Sequence, residues 1–129
     1  MISSRDSGGS EVLEVNPLPP LVDALRAFAQ ARDWGQFHTP KNLACALSVE
    51  ASELLEHFQW LTEAQSQSLA PEKKQEVAAE AADVFLYLLQ LCDKLGIDLI
   101  AAAQAKMLVN AEKYPASFAR GTAKKYSEL

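Results

Sequence analysis

Residues 43–61 read LACALSVEASELLEHFQWL, and the spacing of their apolar positions decides the fold class. Leu43, Leu47, Leu54, Phe58 and Leu61 recur at helical intervals, so the stretch is expected to form one amphipathic helix. Glu50 falls on the same stripe, and Glu53 stands beside it one turn later. A carboxylate in an apolar seam is costly unless it is paired or holds a cation. A second stretch, EVAAEAADVFLYLLQL at 76–91, repeats the oddity: Val77, Val84, Leu88 and Leu91 form the stripe, Glu80 interrupts it, and Asp83 follows by three. Two helices that each aim a pair of acids inward build a four-carboxylate site.

Outward from these two stretches, the chain punctuates itself. Residues 1–20 hold Ser, Gly, Asp and three prolines and are expected to be a flexible tail. A first helix is predicted from Leu21 to Trp34, ended by Gly35. Thr39-Pro40 supplies an N-cap and a proline at N1 for the second helix, which is predicted to run to about Ala64. The QSQS at 65–68 reads as a turn. Pro71 opens the third helix, which runs to Leu95 before Gly96 stops it. Asp98 caps a fourth helix ending near Tyr114, where Pro115 halts it. Residues 116–129 are expected to form a short extension on or near the bundle.

These elements predict an all-α protein, a four-helix antiparallel bundle over 21–115 with long second and third helices. At 129 residues, 49% hydrophobic with only 5 glycines, one helical domain is expected. Its core is small, and the surplus apolar surface of the long helices is best buried against another copy, so an oligomer is expected. The net charge of −5 argues mildly against a nucleic-acid surface. No stretch is apolar enough to suggest a membrane span, and residues 1–20 lack the apolar core of a signal peptide. Cys45 and Cys92 fall in helix interiors and read as reduced thiols. The cytoplasm is the expected location.

Four clustered carboxylates repel one another unless protons or cations relieve them. Hard divalent cations do so, and Mg²⁺ suits a site shared with phosphate oxygens, with Mn²⁺ as a substitute. A di-iron bundle site would need Glu-x-x-His, whereas His57 follows Glu53 by four. A zinc site would need more Cys and His at ligand spacing. No glycine-rich phosphate loop is present. Glu56, Glu63, Glu72 and Glu112 read as solvated surface acids, while Glu76 is ambiguous. Self-satisfied ion pairing is disfavoured, because 43–61 and 77–91 contain no Lys or Arg.

Other residues suit the organic half of such a site. Trp34 and Trp60 could stack on a base or anchor helix ends, and spacing does not choose. His38 sits in a turn beside Phe37, suited to a sugar or base or to a surface contact. Tyr87 follows Asp83 by one turn. Lys106, Asn110 and Tyr114 share a helix face that suits phosphate and base contacts or ordinary solvent.

The motif EASELLEHFQW at 50–60 followed by EAADVFLYLLQL at 80–91 resembles the E-x-x-E … E-x-x-D pattern of the all-helical MazG-like nucleotide pyrophosphohydrolases. WGQFHTPKNLACALSVEASELLEHFQW at 34–60, KMLVNAEKYP at 106–115 and ARGTAKKY at 119–126 bring the resemblance closest to the dCTP pyrophosphatase branch, over about Leu21 to Tyr126. The resemblance implies hydrolysis of a nucleoside triphosphate to monophosphate and pyrophosphate, with Mg²⁺ held by Glu50, Glu53, Glu80 and Asp83. A carboxylate not fully occupied by metal is expected to take the proton of the attacking water, Glu53 or Glu50, and the sequence does not separate base from ligand. The resemblance also implies that Trp34, His38 and Trp60 surround base and sugar, that Lys106, Asn110 and Tyr114 approach phosphates or base, and that the protein is a homo-oligomer, a tetramer rather than a dimer. The favoured substrate is dCTP or a C5-modified relative. Phosphoribosyl-ATP, a damaged purine triphosphate, and a non-enzymatic metal-binding bundle are the alternatives.

Overall fold

The computed structural model describes residues 16–128. Most of the tail expected over 1–20 lies outside the described residues. The protein is all-α, with several long helices: α1 (Leu18–Ala31), α2 (Pro40–Glu56), α3 (Glu63–Ser66), α4 (Pro71–Leu95), α5 (Leu99–Lys113) and α6 (Ala116–Ala119). Single 3₁₀ turns stand at Gly35–Phe37 and Tyr126–Glu128. Internal contacts divide the chain into one unit up to Leu91 and a second from Cys92 onward. No described helix is long and apolar enough to cross a membrane.

α1 begins at Leu18, three residues before the predicted start, because Asn16 Oδ1 accepts from the Leu18 amide at 3.0 Å. Pro19 and Pro20 sit in its first turn, where a missing N–H costs nothing. It also ends early, at Ala31 rather than Trp34. Gly35 is not the terminator: Asp33 takes the left-handed position with φ 54°. The Asp33 amide donates to Gln30 and the Trp34 amide reaches back to Ala29 at 2.9 Å, the paired bonds of a Schellman turn.

α2 starts as expected, with Thr39 accepting from the Asn42 amide, but stops at Glu56 rather than near Ala64. Residues 57–60 turn, and Thr62 opens α3 with a capping box in which Thr62 and Gln65 satisfy each other's backbone N–H groups. α4 spans 25 residues, about 38 Å at the usual rise, with the bounds Pro71 and Leu95 that the sequence predicts. Gly96, at φ 68°, closes it: the Gly96 amide donates to the Asp93 carbonyl and the Ile97 amide to the Cys92 carbonyl. Asp98 Oδ1 caps α5 through the Ala101 amide.

Only Leu43, Leu89 and Cys92 are buried apolar residues among those described, while fifteen large apolar side chains stay exposed. On α2, Leu43 is buried and Leu47 and Leu54 are half-buried, as are Phe58 and Leu61 in the segment that follows, so the predicted stripe is the inner face. Both cysteines are free, Cys45 exposed and Cys92 buried, and burial pushes the Cys92 thiol up.

Gly96→Ala should destabilise the protein by about 1 kcal/mol, since a Cβ is strained at this φ even though no atom crowds it. Denaturant unfolding checks this; an unchanged midpoint would contradict the role given to the turn.

Candidate functional site

The stripe that buries Leu43 carries Glu50 inward two turns later, and α4 brings Glu80 and Asp83 to meet it. Carboxylate oxygens of Glu50, Glu80 and Asp83 all lie within 4.8 Å of one another. Glu50 and Glu80 are half-buried, and Asp83 is exposed. Oε2 of Glu50 and Oε2 of Glu80 are shielded from solvent with no hydrogen-bond donor facing them. Their neighbours are other carboxylates, which can offer a hydrogen only if one of them keeps its proton.

This crowding bears on Glu50. Its carboxyl is pushed up to about 7, first by the adjacent Glu53 carboxyl, then by loss of solvent, then by Glu80. Glu53 thus contacts Glu50 without joining the tightest group of three. Orphaned oxygens, a donor set made only of carboxylates and a retained proton all fit a hard divalent cation. Glu76, ambiguous in the sequence, faces Lys73 at 3.6 Å and His57 at 3.9 Å. Glu56, Glu63, Glu72 and Glu112 are exposed.

Beside the acids lies a cavity of about 410 Å³, a size suited to a small organic ligand. α1 contributes Leu21, Ala24, Leu25 and Phe28, and the following turn contributes Trp34 and His38. From α4 come Asp83, Leu86, Tyr87 and Gln90, spaced three and four apart on one face. Asp83 therefore belongs both to the acidic cluster and to the cavity wall. The Schellman turn after α1 returns Trp34 onto Phe28, edge to face at 5.7 Å between ring centroids, and His38 meets Trp34 at 6.3 Å. The Arg32 guanidinium lies 3.5 Å over the Phe28 ring and donates to the Phe28 carbonyl. That stack braces the outer wall.

Of the organic-site residues expected from the sequence, Trp34, His38 and Tyr87 line this cavity. Trp60 does not line it; it sits in the turn after α2 and is 87% exposed. Lys106, Asn110 and Tyr114 belong to the second unit. There Tyr114 packs edge-on to Tyr126, whose ring Lys113 covers at 4.9 Å. The sequence reading did not single out Leu25, Phe28, Leu86 or Gln90 as cavity-lining. The first three look like ordinary stripe residues, but Gln90 was findable as a polar side chain two turns from Asp83 on its face.

The chain is similar to known proteins over most of its length. The sequence pattern of the MazG-like family matches residues 45–129. The chain is 39% identical to human dCTP pyrophosphatase 1, over 96% of this chain and 79% of that protein. It is 38% identical to the mouse protein of the same name, over 99% and 78%. A crystal structure of a pyrophosphatase from Archaeoglobus fulgidus superposes with a TM-score of 0.74 at 44% identity, covering 78% of this chain and 94% of that one.

The raised Glu50 carboxyl predicts a pH dependence whose sign follows from proton counts. Between its ordinary value of 4.5 and about 7 the unfolded chain has lost this proton while the folded chain keeps it. Without divalent cations, stability should therefore fall as pH rises through that window. Adding Mg²⁺ should raise Tm more at pH 8 than at pH 5.5, because the cation favours the ionised cluster. Glu50→Gln should raise the cation-free Tm at pH 8 and abolish the Mg²⁺ increment. Scanning calorimetry with and without chelator reads both effects, and a Mg²⁺ increment that does not grow with pH would contradict the cluster as a cation site.

Proposed function

Because the chain belongs to the MazG-like family, we propose that it is a Mg²⁺-dependent nucleoside triphosphate pyrophosphohydrolase that converts dCTP, or a C5-modified relative, to the monophosphate and pyrophosphate. It has the MazG-like pyrophosphohydrolase fold, with an acidic cluster able to coordinate a divalent metal. The observation that carries the substrate class is Asp83, shared between the carboxylate cluster and an apolar, aromatic cavity. A ligand that fills both is anionic at one end and flat and apolar at the other, which describes a nucleotide. The dCTP preference draws on the similarity to the human and mouse dCTP pyrophosphatases.

Glu50, Glu80 and Asp83, with Glu53 beside them, would hold the cation, and its charge would screen the triphosphate and the departing pyrophosphate. Water attacks the α-phosphorus in line with the leaving pyrophosphate. A carboxylate of the cluster would take the water's proton, with Glu53 and Glu50 as the two candidates. A bound cation, not the anionic triphosphate, would favour the ionised cluster, so the proton held by Glu50 would pass to solvent as the site fills. Phe28 and Trp34 exclude water from one side of the base, and His38 and Tyr87 supply hydrogen bonds to base or sugar.

The protein works, in this proposal, as a cytoplasmic homo-oligomer, a tetramer in preference to a dimer. Among the described residues, three buried apolar residues against fifteen large exposed ones is an unfavourable balance for an isolated chain. A single monomeric mass by light scattering at micromolar concentration would refute the oligomer.

Activity is tested with a nucleotide panel in Mg²⁺, products being separated by chromatography. dCTP should give dCMP and pyrophosphate, with Glu53→Gln and Glu50→Gln each lowering kcat at least a hundredfold while the fold is kept. Preferential turnover of phosphoribosyl-ATP or a purine triphosphate would move the assignment to the neighbouring substrates. No turnover of any triphosphate would overturn it.

A further inference from the structure

The role given to the cavity leaves Gln90 unexplained. It is half-buried, lines the cavity, and follows Asp83 by seven residues on the same face of α4. Two turns of helix, about 10 Å, therefore separate the acid that touches the cation cluster from this amide. The separation is comparable with the reach from a nucleotide's α-phosphate to the hydrogen-bonding edge of its pyrimidine.

The amide also has a set direction. Gln90 Nε2 donates to the Leu86 carbonyl at 3.3 Å. A carboxamide carries two N–H groups, and this bond uses one of them. Oε1 is left as an acceptor and the second N–H as a donor. Turning the amide over would place Oε1 against the Leu86 carbonyl oxygen, acceptor facing acceptor, so the helix backbone holds it one way round. The other polar groups on the wall lack such a constraint: the Tyr87 hydroxyl rotates, and a neutral His38 can exchange its donor and acceptor nitrogens.

We propose that Gln90 is the residue that selects the base, with Oε1 accepting from the exocyclic amino group of cytosine and Nε2 donating to its N3. The inference rests on the dCTP reading above and adds its selectivity determinant. Gln reads adenine in DNA through the same pattern, an amino group beside a ring nitrogen. Thymine and uracil present the reverse pattern, a carbonyl beside an N–H, and meet the fixed amide with both contacts mismatched. A buried mismatch of this kind is penalised because polar groups lose water without gaining partners. Leu25 and Phe28 from α1 add apolar wall without competing hydrogen bonds.

The test measures kcat/KM for dCTP and dTTP in Mg²⁺ with the full chain, Gln90→Leu and Gln90→Glu, alongside melting temperatures. Gln90→Leu should reduce the dCTP-to-dTTP ratio about tenfold or more, with the loss falling mainly on KM for dCTP. Gln90→Glu keeps the size, replaces the donor with an acceptor facing N3, and should also lower dCTP use; it carries the test if the leucine variant fails to fold. A protein that prefers dCTP and keeps its ratio in a folded variant overturns the role of Gln90 alone. A wild-type chain with no preference for dCTP overturns the substrate reading and the role of Gln90 together.

Discussion

The mutual repulsion of carboxylates in a half-buried seam is the constraint on which the rest depends. Glu50 and Glu80 occupy positions that helical periodicity assigns to apolar residues, and each carries an oxygen that no donor satisfies. Such a placement costs the metal-free chain stability wherever the cluster is ionised, because like charges crowd a half-buried seam. The acids instead make a site that only a positive charge completes. Pre-assembled by packing around Leu43, the cluster need not be gathered when substrate arrives, which is how a rigid scaffold turns folding energy into binding and catalysis.

α4 couples this electrostatic demand to recognition. One of its faces presents Asp83, Leu86, Tyr87 and Gln90 in succession, passing from charged to apolar to amide within two turns. A triphosphate with its base has the same order of properties along its length. The opposing wall comes from α1 and depends on the backbone: because Asp33 enters the left-handed region, Trp34 folds back onto Phe28 rather than continuing a helix. The Arg32 stack then holds that wall in place. Turn chemistry at one residue thus shapes a cavity several residues away.

How much of this was legible in the sequence depended on how local the signal was. Glu50 and Glu80 stood out because an acid on an apolar stripe violates a simple pattern. Pro71, Gly96 and Asp98 marked element ends because each carries a specific backbone preference. The end of α2 was missed although Thr62-x-x-Gln65 is a capping-box sequence; Leu61 kept the apolar period going and masked it. The end of α1 was missed because Gly35 looked the better terminator, while Asp33 tolerates φ 54° at lower apparent prior. That Leu25 and Phe28 face a cavity rather than a packed core depends on what lies across from them, which periodicity does not encode. Trp60 has the composition of a stacking residue, yet its 87% exposure is a tertiary fact.

The central claim is that Glu50, Glu80 and Asp83 hold a divalent cation against the phosphates of a nucleotide whose base occupies the neighbouring cavity. Crystals grown with Mn²⁺ and a dCTP analogue that resists α–β cleavage test it directly through anomalous scattering. The account predicts a manganese peak among these three carboxylates, with density for the analogue running from it past Tyr87 toward Gln90. A fully occupied analogue with no manganese at the cluster, or a base lying outside the Trp34–Gln90 cavity, would contradict it.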